Sequence, residues 1–349
     1  MEKKKIAIIF GGCSTEYEVS LKSASAVIKH VNYNLYETIL IGITRQGKWL
    51  KYNGDLDKIA NNTWSEDESC IPTIISPSRD VHGLLEFHKN NLQITEIDAA
   101  FPILHGRNGE DGTIQGLLEL AGIPVIGCDM LSSAICMDKW LAHTLVEQAG
   151  IKVPRSIVIN DKISESELLE KIKSFSLPLF MKPVRAGSSF GITKVYKRND
   201  LFKAAVNAFE YDNKVIIEEN ISGFEVGCAI LGNDELMIGE VDEIELESGF
   251  FDYQEKYTLQ NSNIHLPARV DSQTTNKIKH IAKTIYRVLG CKGFARVDLF
   301  LTPDGDLYFN EVNTIPGFTA HSRFPNMLKS GGMSFEEILE RIIRLGVEQ

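Results

Sequence analysis

The sequence predicts an α/β protein of more than one domain, whose N-terminal part is a doubly wound parallel sheet. The chain has 349 residues, which is more than a single hydrophobic core normally serves. A short apolar strand over residues 5–10 stops at a glycine pair and is followed by an amphipathic helix over residues 20–31. Strand-like and helix-like segments then alternate along most of the chain.

Composition and charge restrict the classes of partner. The net charge is −10 at pH 7, which argues against nucleic acid or a membrane surface as a partner. The apolar run over residues 6–10 is far too short to span a bilayer. The six cysteines are scattered without a CxxC pair, so we expect a reduced protein located in the cytoplasm.

The remaining elements follow from apolar periodicity and turn residues. A new unit begins near residue 125, and longer strands with α+β character follow residue 213. The helices are predicted at 113–121, 132–149, 165–174, 200–210, 272–289 and 334–345. The strands are predicted at 38–43, 99–104, 156–159, 179–182, 193–196, 215–219, 225–231, 236–245, 295–301 and 307–311.

A glycine- and serine-rich string follows the strand that carries Lys182. Residues 187–191 read Gly-Ser-Ser-Phe-Gly, and such small residues allow backbone N–H groups to approach a phosphate. The string is neither a Walker A nor a Rossmann motif. An ordinary β-hairpin turn remains an equal alternative.

A second string places oxygen-bearing side chains on two adjacent strands. Asp298 lies in one strand, and Glu311 and Asn313 face the same side of the next. These oxygen ligands suit Mg²⁺ bound with phosphate. The alternative is a polar cross-strand face on which Arg296 is the counter-ion.

Two further strings follow strand ends. Residues 105–116 begin at His105 and are rich in glycine, at the edge of the sheet where open α/β sheets bind ligands. The alternative is a turn in which Asp111 caps the next helix. The turn that contains Gly317 can direct a backbone N–H at an oxyanion.

Together, in this order and spacing, these strings resemble the D-alanine–D-alanine ligase family of ATP-grasp enzymes over essentially the whole chain. The resemblance also rests on residues 11–16, 137–139 and 255–257. It implies an ATP-grasp architecture with an N-terminal domain at 1–124, a central domain at 125–212 and a catalytic domain at 213–349. ATP is expected between the last two domains.

The resemblance implies a two-step reaction. D-alanine attacks the γ-phosphate of ATP, and the amine of a second D-amino acid attacks the resulting acyl phosphate. The product is a dipeptide for peptidoglycan. The implied cofactors are ATP and two Mg²⁺ ions, with Mn²⁺ as an alternative, and a homodimer is expected.

The resemblance also assigns roles to individual residues. The metal ligands are Asp298, Glu311 and Asn313. The ATP-binding residues are Lys139, Lys182, Ser189, Glu218, Glu219, Ile221, Glu225 and Lys256. The catalytic residues are Glu16, His105, Ser188, Tyr257, Arg296 and Gly317, and the substrate-binding residues are Glu16, His105, Ser322 and Arg323. Glu219 departs from the family pattern, which often has lysine there.

Arg323 bears on the second substrate. Arginine after Ser322 resembles the D-alanine–D-serine ligases of vancomycin resistance, and the pattern over residues 11–18, 245–257 and 322–325 looks closest to the VanG type. A guanidinium can hydrogen-bond a hydroxyl that leucine at this position would reject. The alternative is that Arg323 points to solvent or to a carboxylate. Two other functions remain open: a housekeeping D-alanine–D-alanine ligase and a non-catalytic ATP-binding regulator.

Overall fold

Three β-sheets organise the chain. The computed structural model describes residues 2–187, 190–246 and 262–348. The sheets follow one another along the chain and contain seven, four and five strands within these described ranges. This mixed α/β architecture agrees with the predicted fold class.

The first sheet is mixed, whereas the sequence predicted a parallel one. Its strands run in the order β6-β5-β4-β3-β2-β1-β7. Only β7, β1 and β2 are parallel neighbours, and the remaining pairs are antiparallel. The turn over residues 44–48 explains the change at β3, because a short connection can join only antiparallel strands. The strands are β1 (Lys4–Gly11), β2 (Tyr36–Ile43), β3 (Trp49–Tyr52), β4 (Ile71–Ile75), β5 (Gly83–His88), β6 (Asn91–Glu96) and β7 (Ala99–Ile103).

Helices α1 (Tyr17–His30), α2 (Leu56–Ala60) and α3 (Thr113–Ala121) belong to this first unit. The single helix predicted over 132–149 is instead two helices, α4 (Met130–Met137) and α5 (Lys139–Gln148). Asp138 separates them because its ψ of 98° is not helical, and its carboxylate accepts a hydrogen bond from Leu141 N. The break places Lys139 at the first turn of α5.

The second sheet is antiparallel and runs β10-β9-β11-β8. Its elements are β8 (Ser156–Asn160), α6 (Glu165–Lys171), β9 (Leu179–Pro183), β10 (Thr193–Val195), α7 (Leu201–Phe209) and β11 (Lys214–Glu219). The predicted boundary at 212/213 assigns β11 to the last domain, but β11 pairs with β8 and β9. The chain therefore changes sheets after Glu219.

The third sheet is antiparallel and runs β14-β13-β12-β15-β16. Its strands are β12 (Phe224–Leu231), β13 (Met237–Leu246), β14 (Ser262–His265), β15 (Phe294–Leu301) and β16 (Leu307–Asn313). The helices of this region are α8 (Ser272–Val288), α9 (Arg323–Ser330) and α10 (Phe335–Val347). Helix α9 was not predicted from the sequence.

One hydrophobic core joins the first and third sheets. Phe101 of β7 packs edge-on against Phe294 of β15, with ring centroids 5.9 Å apart. Phe318 contacts both rings, at 6.0 Å and 5.4 Å. This contact fixes the loops after β7 against the end of β16. Among the residues that the model describes, no helix is long and apolar enough to cross a membrane.

Candidate active site

A cavity of about 330 Å³, called the central cavity below, lies where the N-terminal loops meet the third sheet. Nine of the predicted site residues line it. They are Glu16, His105, Lys139, Arg296, Glu311, Asn313, Gly317, Ser322 and Arg323. The fold therefore brings together residues that are more than 300 positions apart in sequence.

Glu16 and His105 meet because β1 and β7 are parallel neighbours, so the loops that follow them leave the same edge of the sheet. Ser14 links the two loops, since its Oγ donates to His105 O at 2.6 Å and accepts from Glu16 N at 3.1 Å. A Cβ on Gly106 would lie 2.6 Å from Glu16 Oε2. Glycine at position 106 therefore makes room for this carboxylate.

His105 is a buried, neutral imidazole. Burial lowers the pKa of His105 to about 4, against a weaker opposing effect from a hydrogen bond with the Ile315 backbone. Its Nε2 lies 3.2 Å from Ser23 Oγ. At neutral pH the ring therefore contributes hydrogen bonding to the cavity and no positive charge.

The predicted metal ligands share one face of an antiparallel strand pair. In the register of β15 and β16, Asp298 lies opposite Glu311 and Arg296 lies opposite Asn313. The adjacency of these strands confirms the predicted pairing. The three side chains form an oxygen donor set that suits Mg²⁺ when phosphate oxygens complete the shell.

The alternative interpretation of this face is also visible. Arg296 binds both carboxylate oxygens of Asp298 at 2.8–3.1 Å, and Asn313 Nδ2 donates to Asp298 at 2.9 Å. Among the described residues, no group of three or more His, Cys, Asp or Glu side chains could hold a metal ion. The predicted trio has only two carboxylates, so its metal-binding role stays a prediction.

The two predicted phosphate lysines have different partners. Lys139 Nζ donates to Ala186 O at 2.8 Å, which directs it towards the loop that continues into Gly187. Lys182 on β9 forms an ion pair with Glu218 on β11 at 2.6 Å. The two strands are antiparallel neighbours, and this pairing holds Lys182 in place.

Glu218 has a buried oxygen that lacks a partner. Within the described part of the chain, no donor hydrogen-bonds its Oε1 or the facing Nδ1 of His143, and these two atoms lie 3.8 Å apart. Nε2 of His143 lies 3.0 Å from Asn310 O, so Nε2 carries the proton and Nδ1 is an acceptor. Two unpaired acceptors in a buried position call for an external donor, and a nucleotide base with an amino group would fit.

His143 was not identified from the sequence. It follows Lys139 by four residues, so both lie on one face of α5, and this spacing was the available signal.

Glu219, which is predicted to bind ATP, faces away from Lys182 because successive strand residues alternate sides. Its carboxylate accepts from Ser176 N at 3.0 Å and lies 3.5 Å from Arg155. This geometry gives no support to the contact predicted for Glu219. Ile221 lies, partly buried, in the turn between β11 and β12.

Arg323 is the first residue of α9 and is only 9% exposed. Its Nε and Nη2 bind both oxygens of Asp242 at 2.7 and 2.8 Å, and its Nη1 donates to Glu225 at 2.8 Å. The alternative that Arg323 faces carboxylates is therefore the one observed. Glu225, which is predicted to bind ATP, accepts a hydrogen bond from this arginine.

Gly227 of β12 makes the arginine site possible. A Cβ at this position would lie 2.3 Å from Arg323 Nη2 and 2.7 Å from Asp242 Oδ1. Asp242 was not predicted from the sequence, because nothing in its local sequence distinguishes it from other strand carboxylates. Only the pairing of β12 with β13 brings it to Arg323.

Ser322 and Gly317 lie together at the entrance to α9. Ser322 Oγ accepts from Thr319 N at 2.9 Å, and a Cβ on Gly317 would lie 2.8 Å from the same oxygen. Both residues line the central cavity beside Arg323. The predicted residues Ser188, Ser189, Lys256 and Tyr257 lie outside the described residues.

Comparisons with known proteins agree with this geometry. Residues 5–128 match the family model described as D-ala D-ala ligase N-terminus, and residues 145–344 match D-ala D-ala ligase C-terminus. The solved structure of VanG D-Ala:D-Ser ligase from Enterococcus faecalis superposes with a TM-score of 0.92. It is 57% identical to this chain, and the match covers 99% of both chains.

Two curated relatives extend over the chain as well. The vancomycin B-type resistance protein VanB of Enterococcus faecalis is 45% identical over 359 residues and covers 100% of both chains. A D-alanine–D-alanine ligase of Caldicellulosiruptor bescii is 42% identical over 354 residues, covering 100% of this chain and 96% of its own. Proteins named for vancomycin resistance and proteins named D-alanine–D-alanine ligase therefore both occur among the relatives.

Proposed function

The chain belongs to the D-alanine–D-alanine ligase family, and we propose that it joins D-alanine to D-serine through a D-alanyl phosphate. Enzymes of this family are ATP-dependent ligases that act on small molecules and use a divalent metal. The dipeptide D-alanyl-D-serine would enter a peptidoglycan precursor in vancomycin resistance. The similarity to a D-Ala:D-Ser ligase over 99% of the chain supports this choice.

The buried guanidinium of Arg323 carries the D-serine assignment. Asp242 and Glu225 hold it in the wall of the central cavity, beside Ser322. Nη1 has two hydrogens, and Glu225 accepts one of them. A serine hydroxyl can accept the other, whereas the methyl group of D-alanine would leave a buried donor unpaired.

The other predicted site residues suit the chemistry of the two steps, and of those named next all but Lys182 and Asp298 line the central cavity. Lys139 and Lys182 would neutralise phosphate oxygens during phosphoryl transfer. Asp298, Glu311 and Asn313 would hold two Mg²⁺ ions, which would supply positive charge to neutralise the phosphates. Arg296 and the N–H of Gly317 would stabilise the oxyanion of the tetrahedral intermediate.

Product analysis tests the proposal. The protein is incubated with ATP, Mg²⁺ and equal concentrations of D-alanine and D-serine, and the dipeptides are measured by mass spectrometry. We expect mostly D-alanyl-D-serine. In Arg323→Leu the ratio of D-serine to D-alanine product should fall at least about 10-fold, because one charge-assisted hydrogen bond is lost.

Two control variants separate specificity from folding. Arg323→Lys keeps a positive charge opposite Asp242 but loses the planar fork, so its product ratio should also fall. Arg269→Leu removes an arginine that is paired with Glu243 outside the cavity, and its ratio should stay at the wild-type value. Mostly D-alanyl-D-alanine from the wild type would overturn the D-serine assignment.

The second candidate is a housekeeping D-alanine–D-alanine ligase, which the relative from Caldicellulosiruptor bescii favours. In that case Arg323 would be a structural residue that neutralises Asp242 and Glu225. An unchanged product ratio in Arg323→Leu would support this candidate. A homodimer is part of our proposal and can be tested by sedimentation.

A further inference from the structure

A second carboxylate, that of Glu110, lines the central cavity beside Glu16. Both side chains surround Gly106. Glu110 Oε2 accepts a hydrogen bond from Gly106 N at 2.7 Å, and a Cβ on Gly106 would lie 2.6 Å from Glu16 Oε2. No role for Glu110 was predicted from the sequence.

The backbone of Ile315 lines the same cavity as Glu110 and His105. It favours the ionised form of Glu110 and lowers the pKa of that carboxyl group, and it favours the protonated form of His105 and raises the pKa of that ring. Ile315 lies two residues before Gly317. Glu110 of the loop after β7 therefore shares the cavity with the loop that presents the predicted oxyanion N–H.

The charged surroundings of Glu110 are unfavourable for its ionised form. Burial is the largest effect, followed by the negative charge of Glu16, and together they raise the pKa of Glu110 to about 8. The backbone N–H groups of Gly106 and Ile315 oppose this rise, and Glu311 adds to it. The other charged side chains that line the cavity are Glu18 and Lys22 of α1, Lys139 of α5, Arg296 of β15 and Arg323 of α9.

We propose that Glu110 is the second carboxylate of the subsite for the ammonium group of the first amino acid, and that it holds a proton until that ammonium binds. On binding, the carboxyl group of Glu110 releases H⁺ to solvent, and the resulting carboxylate and Glu16 face one ammonium ion. No covalent bond changes in the substrate. The inference rests on the proposed function, because the first substrate is D-alanine there.

The proton is released for an electrostatic reason. Two carboxylates in a partly buried space repel each other, and one proton removes that repulsion in the empty site. The ammonium ion supplies the same compensation when it arrives, so the proton is no longer needed. Glu110 thus places the amine, and with it the adjacent carboxylate of the first substrate, relative to Gly317.

Titration calorimetry tests the proposal. D-alanine is titrated into the full-length protein with Mg²⁺ and the β,γ-imido analogue of ATP, in buffers of different ionisation enthalpy. The slope of the observed binding enthalpy against the ionisation enthalpy of the buffer gives the number of protons released for each D-alanine bound. We expect about 0.9 proton at pH 7 and about 0.1 at pH 9 from a group that titrates near pH 8.

Two variants complete the test. Glu110→Gln should release fewer than about 0.1 proton at pH 7 and should bind D-alanine about 10-fold more weakly, because an amide attracts an ammonium ion less strongly. The control Glu18→Gln changes another cavity-lining glutamate, which is paired with Arg45, and should release as many protons as the wild type.

The outcomes separate this inference from the proposed function. D-alanine binding to the wild type without proton release overturns the role of Glu110 and leaves the ligase proposal standing. Release that persists in Glu110→Gln also overturns it. Failure of D-alanine to bind in the presence of the nucleotide analogue overturns the proposed function and this inference with it.

Discussion

At the scale of single residues, burial decides the charge of His105. An unfolded histidine gains its proton near pH 6.5, whereas burial lowers the pKa of folded His105 to about 4. Between these pH values the unfolded chain binds more protons, so stability that is present above pH 6.5 is lost as the pH falls to about 4. The loss amounts to about 3 kcal/mol.

Urea unfolding at pH 7.5, 6.5, 5.5 and 4.5 measures this loss. His105→Gln should flatten the fall in the free energy of unfolding between pH 6.5 and 4.5. His280→Gln, which changes an exposed residue of α8, should leave the fall unchanged. Equal slopes in wild type and His105→Gln would contradict the assignment of this pH dependence to His105.

At the same scale, the identity of Arg323 does not by itself determine which groups its guanidinium binds. The sequence predicted a guanidinium near the second substrate and allowed for carboxylate partners. In the structure those partners are Glu225 on β12 and Asp242 on β13. Both strands are remote from Arg323 in sequence, so no local pattern around Arg323 indicates them. An arginine whose Nε, Nη1 and Nη2 all bind carboxylates keeps one orientation, which is what discrimination between a hydroxyl and a methyl group requires.

At the scale of elements, Asp138 caps the helix whose first residue, Lys139, is predicted to bind ATP. Its carboxylate accepts from Leu141 N at 3.1 Å at the start of α5, and the next residue is Lys139. Asp138→Ala should lower the free energy of unfolding by about 1 kcal/mol through loss of the cap. It should also raise the KM for ATP several-fold, because the first turn of α5 then positions Lys139 less well.

Ser164→Ala is the matched control. Ser164 caps α6 in an exposed capping box with Glu167, and neither residue is among the predicted site residues. Ser164→Ala should lower the free energy of unfolding by a similar amount to Asp138→Ala and should leave the KM for ATP unchanged. A KM that rises equally in both variants would mean that general destabilisation, and not the position of Lys139, causes the effect. Steady-state kinetics and urea unfolding give both quantities.

At the scale of the whole molecule, the aromatic core makes the first and third sheets depend on each other. Phe294 is fully buried and contacts Phe101, Phe318 and Phe324, with centroid distances of 5.4–5.9 Å. Phe294→Ala should cost about 3–5 kcal/mol through lost burial and the cavity left behind. Hydrogen exchange should then quicken in β7 as well as in β15.

Phe309→Ala provides the comparison. Phe309 is also fully buried, but it packs in the core between the third sheet and α8. Its removal should quicken exchange in the third sheet and leave β7 at the wild-type rate. If exchange in β7 responds equally to both variants, the shared core of the first and third sheets does not explain their coupling.

The sequence by itself determined the mixed α/β class, the strands that open and close the fold, and the pairing of the strands that carry Asp298 and Glu311. These features depend on apolar periodicity and turn residues, which are local. The glycine strings after β1 and β7 also indicated the edge of the first sheet at which Glu16 and His105 meet. Each follows from residues close together in the chain.

Only the tertiary structure decided the rest. It changed the first sheet from parallel to mixed, placed β11 in the second sheet and divided the predicted helix at Asp138. It also brought Asp242 to Arg323, His143 to Glu218 and Glu110 to Glu16. The two residues of each pair lie in different elements. The partner of a buried charge is therefore set by which elements pack together in the tertiary structure. Local sequence periodicity does not determine that packing. The roles of these residues could therefore be inferred only from the tertiary structure.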